Sequence, residues 1–184
     1  MSEARRARLQ TLLRERCFLR GSFRLAGGGT SAVYFDCKRV TLDPEGLALT
    51  ADLLLDAVEE LRAAGTEIAA VGGPSIGADP IAAGMALRSW ERGRPLPSFL
   101  IRSAPKDHGT TRLLENEPPP GSAVLIVEDV VTSGRSVREA IAKVEAAGLR
   151  VAAVGCIVDR EQGGREALAG YRLVALFRRS ELET

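Results

Sequence analysis

The chain has 184 residues, with 25 Lys and Arg against 24 Asp and Glu, for a net charge of +1. That length predicts a single domain able to bury its own core, and the balanced charge argues against a nucleic-acid binder driven by basic excess. An apolar fraction of 45% argues against disorder, and no run of about 18 apolar residues predicts a membrane span.

The charged first segment lacks the apolar stretch of a signal peptide. Residues 2–16 carry Leu9, Leu12 and Leu13 at helical spacing, with Ser2 as the expected N-cap. Two strand-like stretches follow, 17–25 and 32–41, joined by Gly27-Gly28-Gly29, a loop able to approach a ligand closely. Asp43-Pro44-Glu45 predicts a helix start, an N-cap followed by proline at the first position, and that helix runs to Gly65.

From residue 66 an alternation sets in. Strands are predicted at 68–71, 99–102, 123–127, 151–158 and 171–177, with helices at 78–92 and 136–147 and a helical turn at 165–169. Strands apolar throughout are buried on both faces, so the expected fold class is α/β, a parallel sheet flanked by helices. The first 40 or so residues do not follow the alternation and are read as a small N-terminal hood. The whole chain, 1–184, is read as one domain, with hood 1–42, core 43–184 and a lid loop at 103–121, whose length suits a lid or a binding loop.

Cys17, Cys37 and Cys156 are odd in number and widely spaced, which offers neither a disulfide framework nor a metal pair and predicts a cytoplasmic protein with reduced thiols. The single histidine, His108, excludes any scheme needing two within one chain.

The most informative stretch is Val124-Leu125-Ile126-Val127-Glu128-Asp129-Val130-Val131-Thr132-Ser133-Gly134-Arg135-Ser136. A buried strand delivers two acids to its carboxyl end, where ligands of open α/β sheets bind. The hydroxyl-rich loop then opens a helix, whose free N–H groups suit a phosphate. Carboxylates accept hydrogen bonds, as the hydroxyls of a ribose require. Neither a Walker A loop nor a GxGxxG fingerprint is present.

These residues resemble the ribose-phosphate signature of type I phosphoribosyltransferases, which use phosphoribosyl diphosphate (PRPP). Three further pieces resemble the orotate phosphoribosyltransferases in particular. They are the lid Lys106-Asp107-His108-Gly109-Thr110 after Arg102, the hood stretch from Phe23 to Asp36, and Val158-Asp159-Arg160-Glu161. Gly77-Ala78-Asp79-Pro80-Ile81-Ala82 also resembles the family's loop that meets the diphosphate.

The resemblance implies transfer of ribose phosphate from PRPP to orotate, with Mg²⁺ held mainly by substrate and water. It assigns Lys106, His108 and Asp129 to catalysis. It assigns PRPP to Arg102, Lys106, His108, Glu128, Asp129, Val130, Val131, Thr132, Ser133, Gly134, Arg135 and Ser136. It assigns orotate to Thr132, Arg160 and either Phe35 or Tyr34, and no side chain to direct metal binding. A cytoplasmic homodimer with shared active sites is implied, with neither nucleic acid nor membrane as partner.

The rival readings are transfer to another nucleobase, or a non-catalytic PRPP-sensing regulator. At three positions where many family members carry lysine, this chain has Ala26, Gly77 and Ser103, leaving Arg24, Lys38 or Arg39 to supply charge.

Overall fold

The computed structural model describes residues 2–24, 30–102 and 113–183. Helix α1 (Glu3–Arg16) buries Leu9, Leu12 and Leu13. Ser2 stands at the N-cap in extended conformation but makes no side-chain capping bond. A hairpin follows, β1 (Phe18–Arg24) paired antiparallel with β2 (Thr30–Phe35). The sequence pattern placed strand through residue 41. Instead the chain turns at Asp36, whose Oδ1 lies 3.2 Å from the Lys38 N–H, and Lys38–Thr41 forms the short helix α2. Buried Cys37 and Val40, with the β-branched Thr41 also buried, mimic a strand in the sequence.

Helix α3 (Pro44–Ala63) starts as its cap residues predict: Asp43 Oδ1 accepts from the N–H groups of Glu45 and Gly46 at 3.1 and 3.0 Å. Then come β3 (Ala70–Gly72), α4 (Ala78–Glu91), β4 (Leu100–Ile101), β5 (Leu114–Glu115), β6 (Ala123–Val131), α5 (Arg135–Ala146), β7 (Arg150–Asp159), α6 (Gly164–Ala167) and β8 (Leu173–Arg178). A 3₁₀ turn, Arg179–Glu181, closes the described chain.

The main sheet is parallel, in the order β3-β6-β7-β8. Single bridges from Val71 to Ser98 and from Pro74 to Ile101 bring the β4 segment alongside β3. Strand β5 lies within the stretch expected to be an irregular lid. It pairs antiparallel with β4, anchored by buried Leu114 and by the Arg102 N–H on the Leu113 carbonyl at 2.8 Å.

Strand β6 alternates its side chains between two apolar clusters, as its period of two requires. Leu125 and Val127 join α1, α3 and α4 on one face, while Val124 and Ile126 join α5 on the other. Helix α5 meets them with Val137, Ala140, Ile141 and Val144, one helical stripe. Helices α3 and α4 are tied by Asp52, which accepts from Arg88 and Arg92 at 2.9 Å each.

Helix α1 does not stand apart as a cap. Its leucines share a cluster with Leu54, Val58, Leu176 and Phe177, and the Arg6 guanidinium lies 4.2 Å from the Phe177 ring centroid. Of the N-terminal elements, the β1–β2 hairpin forms a sheet of its own, separate from the main sheet, and makes the hood.

Candidate active site

The parallel strands β3, β6, β7 and β8 bring their carboxyl ends to one edge of the molecule, where an open α/β sheet binds its ligands. Strand β6 continues through the acids to Val131, because β7 keeps pairing with it at Val130↔Val158 and Val131↔Asp159. The sequence pattern ended this strand at Val127. Glu128 and Asp129 are therefore fixed by sheet geometry and not by a loop.

Glu128 is only 6% exposed. Its Oε1 accepts from the Asp129 N–H and its Oε2 from the Ser136 hydroxyl, both at 3.1 Å. Burial, and then the neighbouring Asp129 charge, push the Glu128 carboxyl up to about 8. Near neutral pH the pair thus holds less than two full negative charges. Asp129 is half-buried, and its Oδ1 accepts from the Val130 N–H at 2.8 Å.

The turn between β3 and α4 folds over these acids. At Gly73 a side chain would collide with the Val127 carbonyl and Ala78, so the chain crosses β6 where only glycine fits. At Gly77 an added Cβ would lie 2.5 Å from Glu128 Oε1 and 2.7 Å from Asp129 Oδ1. The backbone at 77 thus lies directly against both carboxylates. Ser75 donates to Asp79 Oδ1 at 3.0 Å and lies 3.3 Å from the Ile101 carbonyl, joining the turn to α4 and β4. Sequence reasoning assigned no role to Ser75, and its only signal was its place in a glycine-rich strand-to-helix turn.

On the other side, Thr132, Ser133 and Gly134 lead into α5. Gly134 adopts φ 75°, a left-handed conformation that frees the helix start without a side-chain cap. Gly164 presses on this loop: a Cβ there would lie 2.6 Å from the Thr132 carbonyl. Thr132 is half-buried, while Ser133, Arg135 and Ser136 are exposed. The Arg135 side chain pairs with Glu139 at 2.9 Å along the helix surface. The first turn of α5 therefore offers N–H groups and hydroxyls in front of the acid pair.

Arg160 follows β7, its N–H bonded to the Val131 carbonyl at 2.8 Å. Its Nε is buried without a hydrogen-bond partner, and burial, followed by the charge of Arg179, lowers its pKa. A buried guanidinium nitrogen without an acceptor suits an anionic ligand. Tyr34 of the hood lies within electrostatic reach of Arg160, is 38% exposed, and its ring centroid is 5.4 Å from that of Phe23. Phe35, in contrast, packs edge-on against Phe18 at 4.8 Å and joins the main apolar cluster. Of the two hood aromatics, Tyr34 is the one presented outward.

Lys38 donates to Asp36 at 2.7 Å, an ion pair that raises its pKa, and the Asp129 carboxylate adds to that effect. Arg39 points instead toward the Arg16 carbonyl. Arg102, at the end of β4, lies 3.3 Å from Glu115, and its carbonyl accepts from Lys143 of α5 at 2.8 Å. Lys106 and His108 lie outside the described residues, as do Ala26 and Ser103.

Among the described residues, no three His, Cys, Asp or Glu side chains gather to hold a metal ion. Of the acid pair, the half-buried Asp129 offers a hard carboxylate oxygen near the sheet's carboxyl end, while Glu128 is buried and accepts from the Asp129 N–H and Ser136. That donor fits a Mg²⁺ that keeps its waters and takes its other ligands from substrate phosphates. No helix among the described residues is long and apolar enough to cross a membrane.

The phosphoribosyl transferase domain model matches residues 39–175. An orotate phosphoribosyltransferase of Sorangium cellulosum is 41% identical over 180 residues, covering 96% of this chain and 92% of the relative. The chain belongs to the orotate phosphoribosyltransferase family. The orotate phosphoribosyltransferase of Mycobacterium tuberculosis H37Rv, solved with Fe(III) dicitrate, superposes with a TM-score of 0.84 at 32% identity. That match covers 98% of this chain and 99% of the other. The same enzyme solved in complex with PRPP superposes with a TM-score of 0.78 at 30% identity, covering 99% and 93%. The type I phosphoribosyltransferase fold expected from the sequence is the one observed.

Proposed function

We propose that the protein transfers the ribose 5-phosphate of PRPP to N1 of orotate, giving orotidine 5′-monophosphate and diphosphate, a step of pyrimidine biosynthesis. The observation that carries this reading is the convergence of three parts at one sheet edge. These are the Glu128–Asp129 pair, the turn ending at Gly77, and the first turn of α5.

In this reading the carboxylates accept hydrogen bonds from the ribose 2′- and 3′-hydroxyls. Residues Val130 to Ser136 enclose the 5′-phosphate, with the N–H groups at the start of α5 aimed at it. The 73–77 turn faces the diphosphate. The C1–oxygen bond to diphosphate breaks, the C1–N1 bond forms, and N1 gives up its proton. Positive charge grows on the sugar and negative charge on the leaving group, so cations and donors aimed at those atoms do the catalytic work. Mg²⁺ bound to the diphosphate would neutralise part of its charge. Arg102, Lys106 and His108 belong, in this proposal, to a lid that supplies further positive charge and excludes water.

The unpartnered Arg160 Nε supports an anionic base, and so favours orotate over a purine. Arg160 takes the orotate carboxylate, Thr132 lies between base and phosphate, and Tyr34 supplies the exposed aromatic surface.

We further propose a homodimer. Leu87 and Trp90, one helical turn apart on α4, and Ile76 just before it are exposed large apolar groups that a second copy would cover. Sedimentation of Trp90→Glu as a monomer would support this face, and an unchanged dimer would reject it.

The test of the site is Asp129→Asn. It should raise KM for PRPP severalfold or more while leaving the melting temperature close to wild type. Unchanged PRPP kinetics would make the strand-end acids structural.

A further inference from the structure

The arginine next to the proposed base site has a neighbour to which neither the sequence nor the family resemblance gave a role. Strands β7 and β8 are parallel, with Asp159 opposite Arg178. Paired strands lie about 4.8 Å apart, and the next residues, Arg160 and Arg179, follow directly on this last pair. The turn carrying Arg179 is fixed in place. Ser180 donates to Glu161 through its N–H at 2.9 Å and its hydroxyl at 3.2 Å, and the Arg178 N–H bonds Glu181 at 2.7 Å.

Like charges leaving neighbouring strand ends repel one another. After burial, the Arg179 charge is the strongest influence lowering the Arg160 pKa. No acceptor relieves this at Arg160, whose Nε is buried and unpartnered. Arg179 has a partner in Glu183 at 2.7 Å, but that pair is solvent-exposed, with 37% and 43% of the two side chains accessible. Such pairs are weak and exchangeable. Glu183 also acts on Arg160 with the opposite sign to Arg179. Two arginines thus leave neighbouring strand ends, one with an unpartnered buried Nε and the other paired with a surface carboxylate that a ligand could displace.

We propose that Arg179 is a second base-recognising residue, which leaves Glu183 and joins Arg160 on the carboxylate of orotate. This rests on the assignment of Arg160 to the base site. The planar fork of arginine matches a carboxylate through two parallel hydrogen bonds, and two forks select an anionic base over a neutral one. Glu183 then acts as an internal competitor that sets how tightly orotate binds.

The test is steady-state kinetics of the full chain, varying orotate at saturating PRPP and the reverse. Arg179→Met should raise the orotate KM about tenfold, the loss expected for a hydrogen-bonded charge, with much smaller changes in kcat and in the PRPP KM. Arg179→Lys should recover part of that loss. Glu183→Gln, which removes the competitor, should lower the orotate KM, a direction that a merely structural turn would not give. If Arg160→Ala raises the orotate KM while all three of these variants leave it unchanged, Arg179 is only a surface partner of Glu183 and the proposal fails. The proposal also fails if Arg179→Met raises both KM values by the same factor. If Arg160→Ala itself leaves the orotate KM unchanged, the base lies elsewhere, and the assignment of Arg160 fails together with this one.

Discussion

Gly77→Ala probes the approach of the 73–77 turn to the acid pair. The added methyl would sit 2.5 Å from Glu128 Oε1 and 2.7 Å from Asp129 Oδ1, distances that real Cβ atoms essentially never show. Either the turn or the carboxylates must move by about half an ångström or more, a scale at which catalytic geometry is already sensitive. The atoms met are side-chain ends, so the fold can adjust at a cost of about 1–3 kcal/mol. That corresponds to a fall of roughly 2–12 °C in Tm for a chain of this size.

The carboxylates cannot adjust freely. Glu128 is buried and accepts from Ser136 and from the Asp129 N–H, so displacement breaks the bonds that orient it. The expected result is a fall of about 10- to 100-fold in kcat/KM for PRPP, with a smaller effect on the orotate KM. Initial-rate kinetics paired with a thermal melt separate the two consequences. Wild-type kcat/KM for PRPP in a folded Gly77→Ala protein would show that the turn does not lie against the working carboxylates. Lysine at this position would meet the same contact.

Glu128 also predicts a pH dependence of stability. Its carboxyl titrates at about 8 in the folded chain against an ordinary value of 4.5, so the folded state binds the proton more tightly than the unfolded state. This contribution to stability is full below about pH 4.5 and is lost as the pH rises through about 8. Glu128→Gln has no such proton, so its melting temperature should fall less than that of wild type across this window. Parallel curves for the two proteins would refute the assignment. In the proposed mechanism the Lys106 charge acts as the diphosphate leaves, so Lys106→Ala should lower kcat far more than it loosens orotate binding. An unchanged kcat would remove Lys106 from the mechanism.

The α/β alternation and the acids at a strand end were legible because both depend on local sequence: apolar runs, Asp43-Pro44 at a helix start, Gly134 before α5. What was not legible depends on pairing between distant segments. Strand β6 reaches Val131 because β7 matches it in length, and nothing in residues 123–131 alone says so. Strand β5 forms because Leu114 finds a buried place beside β4. Val40 and Thr41 were read as strand because burial alone does not distinguish a helical turn from an extended one. Gly77 looked like a lost cation until the crossing of the turn over β6 put its backbone on two carboxylates. Phe35 and Tyr34 are neighbours in sequence, and only the hairpin register shows that one packs inward and the other faces out.

The most direct test of the account is the absorbance of orotate after mixing the protein with PRPP, Mg²⁺ and orotate, beside an Asp129→Asn control. The account predicts rapid loss of orotate absorbance with the wild-type chain, and much slower loss with the variant at the same PRPP concentration, held below the wild-type KM. No loss with a folded wild-type chain that still binds PRPP would contradict orotate as the acceptor. Equal loss in both proteins would contradict the role given to the acids at the end of β6.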